Sequence, residues 1–406
     1  MSGRSLRALS ARRIAAHIAD AAERWGEADF PPRVRVTAAI EARLGYSTPV
    51  VEYALDRLFF GITVRSLEAA IGSELGSLEA LDGFAPRAGA PASWARGVDR
   101  AVVISSDTTI GVALVPALFG LCAKCDVVVK DRSDALIGAF FASLAQEHPA
   151  FADAARAHVW TGGDDSAEET LFADAGVVVA FGGDGALRAI RERCGVETRF
   201  VPFGHRASIG RLTREDIERI EDAQADAIVR DALLYDGEGC LSLHALFVEA
   251  RGDALEHLTR RLADAGERMS LEFPPGTPPP QRVAAAGAYR SLAAFRAASG
   301  GPGAIVRGGS LTLAVAQPSE PPPFLPRVLP LITIDSDDEV AAYVAEHRLP
   351  VQALGVVRPD ERDAALAKRI DAVRIAAFGT MQDPPLTGHH GGLPRIADFV
   401  RWIDCE

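Results

Sequence analysis

One cysteine in this chain stands in a setting suited to nucleophilic chemistry. Cys240 lies in "YDGEGCLSLH" (235–244), just after two glycines, Gly237 and Gly239, after a helix-like segment and before an apolar run. Small neighbours leave its sulfur accessible and let a substrate approach the backbone closely. A thiolate is a strong nucleophile, and the thioesters it forms are readily broken again. His244, four residues on, could assist it or simply bond to backbone. Taken alone, these residues leave both a nucleophile and a structural thiol open. Cys122 and Cys125 in "CAKC" read as structural, because they fall where a helix ends and a strand begins. A redox pair takes its low thiol pKa from the other end of a helix, and no second CxxC completes a zinc shell. Cys194 and Cys405 have no constellation around them.

Other residues suit cofactor binding. Lys130 ends the strand-like run of "DVVVKDRS", at the rim where open α/β sheets take their ligands, so it could meet a ribose or a phosphate. "GVVVAFGGDGALRAI" reads as strand, glycine turn and helix. Gly182 and Gly183 would let a phosphate reach the N–H groups at the helix start. The spacing matches neither the usual dinucleotide fingerprint nor a Walker loop. Asp184 would repel a phosphate unless it bonds a hydroxyl instead, so a plain tight turn and a cofactor loop both stay open. His205 and Arg206 in "PFGHRAS" follow another strand and read by default as a structural or surface pair. His389 and His390 in "GHHGG" read as a glycine-rich loop, since no acidic or cysteine cluster accompanies them as metal ligands.

The elements around these residues set the fold class. With 406 residues, 48% of them apolar, the chain has material for two or three lobes. A net charge of −12 argues against a nucleic-acid-binding face. Five scattered cysteines argue for a reducing, intracellular compartment, and no signal peptide is visible. The longest apolar run, "VALVPALFGLCA", is too short to span a bilayer, so a cytoplasmic protein is expected. Residues 4–77 carry helical periodicity, and "DGFAPRAGAPAS" reads as a linker. From Ala101 short β-rich runs ("AVVIS", "DVVVK", "AHVWTG", "GVVVAFG", "TRFVPFG") alternate with helical stretches, the pattern of βαβ units and a parallel sheet. A helix near 213–231 precedes a second α/β lobe containing "LSLHALFVEA", "AIVRGGSLTLAVA", "VLPLITI" and "VQALGVV". Ser336 and Glu339 form a capping-box pattern, and two Pro-rich stretches, 274–280 and 318–330, read as loops.

In order and spacing these motifs resemble the aldehyde dehydrogenase superfamily, and within it the fatty acyl-CoA reductase family of bacterial luminescence. The "VVVK" segment resembles the superfamily's cofactor-binding βαβ, "FGGD" its phosphate turn, and "GEGCLSLH" the reductase nucleophile motif. "LGYSTPVVEYALDRL" and "FGTMQDPPLTGHHGGLPRIADFVRW" are similar to that family's start and tail, so the likeness covers essentially the whole chain. It implies an α/β, aldehyde-dehydrogenase-like fold of two parallel-sheet lobes with a helical N-terminal region. The implied divisions are 1–95 (helical), 96–230 (cofactor), 231–376 (catalytic) and 377–406 (tail returning to the cofactor lobe or a dimer interface). Cys240 takes the nucleophile role, with His205 or His244 as proton donor. Lys130, Ser133, Gly182, Gly183 and Asp184 take the cofactor, NADPH ahead of NADH, and no metal is called for.

The implied reaction is reduction of an acyl-CoA or carrier-bound acyl thioester to an aldehyde through an acyl-cysteine. The protein would be a homo-oligomer, with an acyl-transferring or ligase subunit as a possible partner. The alternatives are a CoA-acylating aldehyde dehydrogenase working oxidatively and a catalytically weak acyl-binding subunit. Several positions depart from the superfamily. Asp107 stands about where an oxyanion-hole Asn is usual, no acid occupies the general-base position near "PFGHRAS", and proline replaces a ribose-binding Glu in "PPPFLPRVLPL". Gly391 stands where the tail is usually acidic. Loss of the base suits a reductase, because no activated water then hydrolyses the acyl-cysteine.

Overall fold

The computed structural model describes residues 6–87, 89–106, 109–160, 168, 171–299 and 304–406. The chain divides into two compact units: residues 1–43, 52–204 and 385–406 form one, and residues 44–51 and 205–384 the other.

The first unit starts with four helices, Ala11–Gly26, Pro31–Leu44, Thr48–Phe60 and Val64–Leu75. The first buries Ile14, Ile18, Ala21, Ala22 and Trp25 at helical spacing. The Trp25 indole packs 5.1 Å from Phe59 and 5.9 Å from Phe140, and its N–H donates to Ser143 Oγ at 3.0 Å. The expected linker is not one. It forms β1 (Ala85–Arg87) and β2 (Ala90–Gly97), so the helical region ends well before residue 95. Beyond them the chain adds β3 (Arg100–Ile104), β4 (Asp126–Lys130), β5 (Ala155–His158), β6 (Val177–Phe181) and β7 (Arg199–Phe203). These five pair in parallel in the order β5-β4-β3-β6-β7. Unbroken valine runs suit strands covered on both faces, and β6 is buried throughout. The strand order reverses between β3 and β6, the kind of switch point at which open α/β sheets take their ligands.

The second unit holds β8 (Ala207–Leu212), β9 (Leu243–Val248), β10 (Ile305–Gly308), β11 (Leu311–Val315), β12 (Val328–Thr333), β13 (Val351–Val356) and β14 (Ile375–Ala377). Their order is β10-β11-β12-β9-β8-β13-β14, and only the β10–β11 pairing is antiparallel. Because β8 pairs with β9 and β13, the chain from His205 to Pro384 belongs here. The expected boundary at 230/231 instead falls inside a helix. That helix is Asp222–Leu233. The single helix expected over 213–231 is two, since Thr213 with Asp216 and Glu221 with Gln224 each close a capping box. Ser336 is an N-cap but makes no side-chain cap bond, and Glu339 accepts from the Asp335 N–H at 3.2 Å instead. Last comes β15 (Val400–Cys405), which pairs antiparallel with β2 in the first unit's small third sheet. No helix among the described residues is long and apolar enough to cross a membrane.

Candidate active site

Cys240 sits on a loop of the second unit that feeds the N-terminal end of β9. The chain reaches it through three consecutive left-handed residues, Tyr235 (φ 55°), Asp236 (φ 52°) and Gly237 (φ 74°). At the last of these only glycine fits, since a Cβ would come within 2.9 Å of the Ala232 carbonyl oxygen. Beyond the turn almost every polar group is engaged. Arg282 donates twice to Glu238 Oε1, at 2.9 and 2.6 Å. The Gly239 N–H donates to Ser242 Oγ at 3.1 Å, and Ser208 Oγ donates to the Cys240 carbonyl at 2.7 Å. Gln382, near the start of the C-terminal tail, donates to Ser242 Oγ at 2.9 Å and to the Asp231 carbonyl at 3.3 Å.

Cys240 is an exposed residue on this fixed loop. Protein packed around the sulfur nonetheless raises its pKa above the ordinary thiol value. Its own backbone N–H, the charge of Arg206 and the Leu241 N–H pull the other way. The same N–H groups that would steady a thiolate lie beside the place where an oxyanion would form, on the oxygen of a carbonyl carbon bonded to the sulfur. By contrast, burial raises the thiols of Cys122 and Cys125, the former to about 12, and leaves them inert.

The two histidines proposed as proton donors differ. His205 is exposed, just before β8. His244 is buried in β9. Its Nδ1 accepts the Ser208 N–H at 3.0 Å, and its ring packs 5.0 Å from Phe324. Burial lowers its pKa to about 4, so at neutral pH the ring is uncharged with its proton on Nε2.

In the first unit Lys130 is the last residue of β4 and is buried. Its ammonium donates to Glu168 at 3.1 Å and lies 5.0 Å from the Trp160 ring centroid. Glu168 also accepts from Trp160 Nε1 at 2.8 Å and pairs with Arg193. Burial works to raise the Glu168 pKa, but the bonds from Trp160 and Lys130, with the charges of Lys130 and Arg193, hold it below the ordinary value. Glu168 is a residue the sequence reading missed, for it belongs to no motif and stands 38 positions from its partner. Ser133 is exposed just beyond β4. Gly182 follows β6 and spends its N–H on the Phe203 carbonyl at 3.2 Å. Gly183 caps the helix Asp184–Arg193 without a side-chain bond. Asp184 is the first residue of that helix, where its charge complements the helix dipole.

The tail's glycines have a local cause. Gly391 (φ 56°) and Gly392 (φ 81°) turn the chain between His390 and Leu393, which exchange backbone hydrogen bonds at 2.9 Å. A turn with positive φ at both central residues favours glycine, which accounts for Gly391. His390 stacks on Phe203 at 4.2 Å, and burial, helped by the charge of Arg395, lowers its pKa to about 4. Asp107 lies outside the described residues. An open cleft of about 800 Å³ at the C-terminal ends of β8 and β13 is lined by Arg211, Thr213, Arg362 and Asp363. Acidic capping residues Asp216 and Asp363 already occupy the helix starts there, and Cys240 is not among the residues that line the cleft.

Residues 6–402 match the family described as acyl-CoA reductase (LuxC). The chain belongs to that family. Solved structures with the same fold include a Marinobacter aquaeolei oxidoreductase, 15% identical, covering 97% of this chain and 84% of its own, with a TM-score of 0.69. A NAD-dependent benzaldehyde dehydrogenase from Corynebacterium glutamicum is 15% identical, covering 99% and 87%, with a TM-score of 0.71. A putative methylmalonate-semialdehyde dehydrogenase from Sinorhizobium meliloti, complexed with NAD, is 13% identical, covering 99% and 86%, with a TM-score of 0.70. No curated protein matches the chain in sequence. This member of the LuxC family therefore has the aldehyde dehydrogenase fold, and it is an oxidoreductase of that type.

Proposed function

We propose that this protein reduces an acyl thioester, either an acyl-CoA or a carrier-bound acyl group, to the aldehyde through an acyl-enzyme on Cys240. The observation that carries the reading is the presentation of that cysteine. Cys240 is an exposed residue on a loop fixed on both sides, its sulfur packed by protein with backbone N–H groups beside it. The Cys240 thiolate attacks the thioester carbonyl. The oxyanion forms beside the Cys240 and Leu241 N–H groups, and collapse expels the carrier thiol, leaving an acyl-cysteine. A nicotinamide cofactor, when bound, supplies the hydride that reduces this thioester. The resulting thiohemiacetal oxyanion collapses to aldehyde and returns the electron pair to the Cys240 sulfur. A proton for the departing groups comes from His205 or from solvent, while His244, uncharged at neutral pH, can offer its Nε2–H only as a hydrogen-bond donor.

Several features of the first unit fit a dinucleotide. The strand order reverses between β3 and β6, Lys130 ends β4, and two glycines precede a helix that has no side-chain cap. Lys130, Ser133, Gly182 and Gly183 would hold the cofactor. Asp184 would sit beside it and bond to a hydroxyl. NADPH is taken ahead of NADH from the family likeness. The absence of any carboxylate in "PFGHRAS" supports the reductive direction, because a water-activating base would discharge the acyl-cysteine. Asp184, which would repel a phosphate, and Gly391, which departs from the usual acidic tail residue, both have structural causes. Asp184 starts a helix and Gly391 completes a turn.

The test is consumption of NADPH and NADH with acyl-CoAs from short to long, for wild type and Cys240→Ala. Cofactor oxidation with aldehyde formed, abolished in the alanine variant, is the expected result. Equal rates in both proteins would remove Cys240 from the chemistry.

A further inference from the structure

Tyr235 and Asp236 carry side chains in the left-handed region, two in succession, a conformation that persists only where the surroundings enforce it. The enforcing group is Arg327, itself at φ 53° and buried. Its Nε donates to Asp236 Oδ1 at 2.6 Å, and its backbone N–H donates to the Asp236 carbonyl at 2.9 Å. The rest of the guanidinium is anchored to different elements. Nη1 donates to the Phe273 carbonyl at 2.8 Å and to Ser310 Oγ at 2.6 Å, and Nη2 donates to the Pro274 carbonyl at 2.9 Å. Arg327 thus grips both the main chain and the side chain of one residue, four positions before Cys240, and ties it to the ends of a helix and a strand. Asp236 is buried as well, so this pair is shielded from solvent.

We propose that Arg327 and Asp236 are positioning residues that aim the Cys240 sulfur. They lock the Tyr235–Gly237 turn, and the turn sets where the thiol stands relative to the Cys240 and Leu241 N–H groups. Arg282 and Glu238 form a second, more exposed pair on the same loop and brace it further along. The clamp touches no reacting atom. Releasing it lets the sulfur swing away from its packed setting toward the environment of a free thiol. Two effects then run in opposite directions. The cysteine becomes easier to alkylate near neutral pH, while turnover falls because the sulfur no longer meets the carbonyl in register. The proposal rests on Cys240 being the nucleophile only for its second half.

The test follows Cys240 alkylation by iodoacetamide, site by site in the mass spectrum, across pH for wild type, Arg327→Lys and Asp236→Asn. Lysine cannot bond all four acceptors at once, and asparagine keeps the shape while losing the charge. Fold retention is checked by circular dichroism and thermal midpoint. Alkylation at pH 8 at least fivefold faster, with a lower midpoint pH, and acyl-CoA turnover with kcat at least tenfold lower at a KM within twofold, are expected. Arg211→Met breaks another buried pair, with Asp363, at the C-terminal end of β8. It is expected to lower the thermal midpoint without changing Cys240 alkylation. An unchanged alkylation profile in folded clamp variants would overturn the proposal. If neither variant folds, Ser310→Ala removes one of the four acceptors, and a wild-type profile there overturns it equally. Should Cys240→Ala retain full activity while the clamp variants still shift alkylation, the positioning claim stands and the nucleophile reading fails.

Discussion

Gln382 and Ser242 are 140 positions apart in sequence, yet the amide of one donates to the hydroxyl of the other at 2.9 Å, and that hydroxyl also receives the Gly239 N–H. One oxygen therefore joins the start of the C-terminal tail to the residue preceding Cys240. Ser242→Ala leaves two donors without their acceptor, at a cost of about 1–3 kcal/mol for each group that stays buried. A lower thermal midpoint and roughly tenfold slower turnover are expected. Gln382→Ala should reproduce part of both effects, as read by thermal shift and steady-state kinetics.

Cys240 titrates high because desolvation outweighs the donors around it. Its alkylation should rise with pH to a midpoint above the ordinary thiol value of about 8.5. Arg206→Ala removes a charge that favours the thiolate, so the midpoint should move further up and alkylation at pH 8 should slow a fewfold. Site-resolved mass spectrometry checks this. A midpoint that falls in the alanine variant would contradict the assignment.

Asp231 offers a pH test of stability. Burial raises its carboxyl pKa from 3.8 to about 7, against the Gly379 N–H that donates to Oδ2 at 2.6 Å, and Oδ1 is buried without a partner. The folded chain thus holds a proton that the unfolded chain releases. This contribution is full below about 3.8 and is lost as pH rises through about 7. Asp231→Asn keeps the acceptor and removes the titration. Its stability relative to wild type should rise between pH 4 and 7 and level off above, by about 4 kcal/mol at most. Chemical denaturation at pH 4.5, 6 and 8 reads the trend, and a gap that shrinks with pH would contradict it.

Much of this was legible in the sequence for a physical reason. The valine runs of β3, β4 and β6 and the helices between them are local patterns, and so is the cysteine just after two glycines. What was missed depends on partners far along the chain. "DGFAPRAGAPAS" reads as a linker because nothing nearby tells that β15, about three hundred residues on, supplies its pairing partner. Glu168 meets Lys130 only after β4 is in place. The Arg327 and Asp236 pair, 91 positions apart, carries no motif at all. Asp184 and Gly391 looked like lost chemistry and are a helix start and a turn.

Lys130 is expected to serve cofactor binding more than the chemical step. Lys130→Ala should weaken the affinity for the reduced nicotinamide about tenfold, near 1.4 kcal/mol, with kcat little changed. Glu168→Gln removes the charge that now holds the ammonium and should also alter that affinity without touching Cys240 alkylation. Cofactor fluorescence titration measures both. Wild-type affinity in both variants would place the cofactor elsewhere.

The acyl-enzyme itself gives the most direct measurement. Protein mixed with an acyl-CoA, without reduced cofactor, is analysed by intact mass and peptide mapping. The mass should rise by one acyl group on the peptide containing Cys240, the adduct should leave as aldehyde when NADPH or NADH is added, and Cys240→Ala should show none of this. Steady consumption of reduced cofactor and acyl-CoA with no adduct at Cys240, or with the acyl group on another residue, would contradict the account.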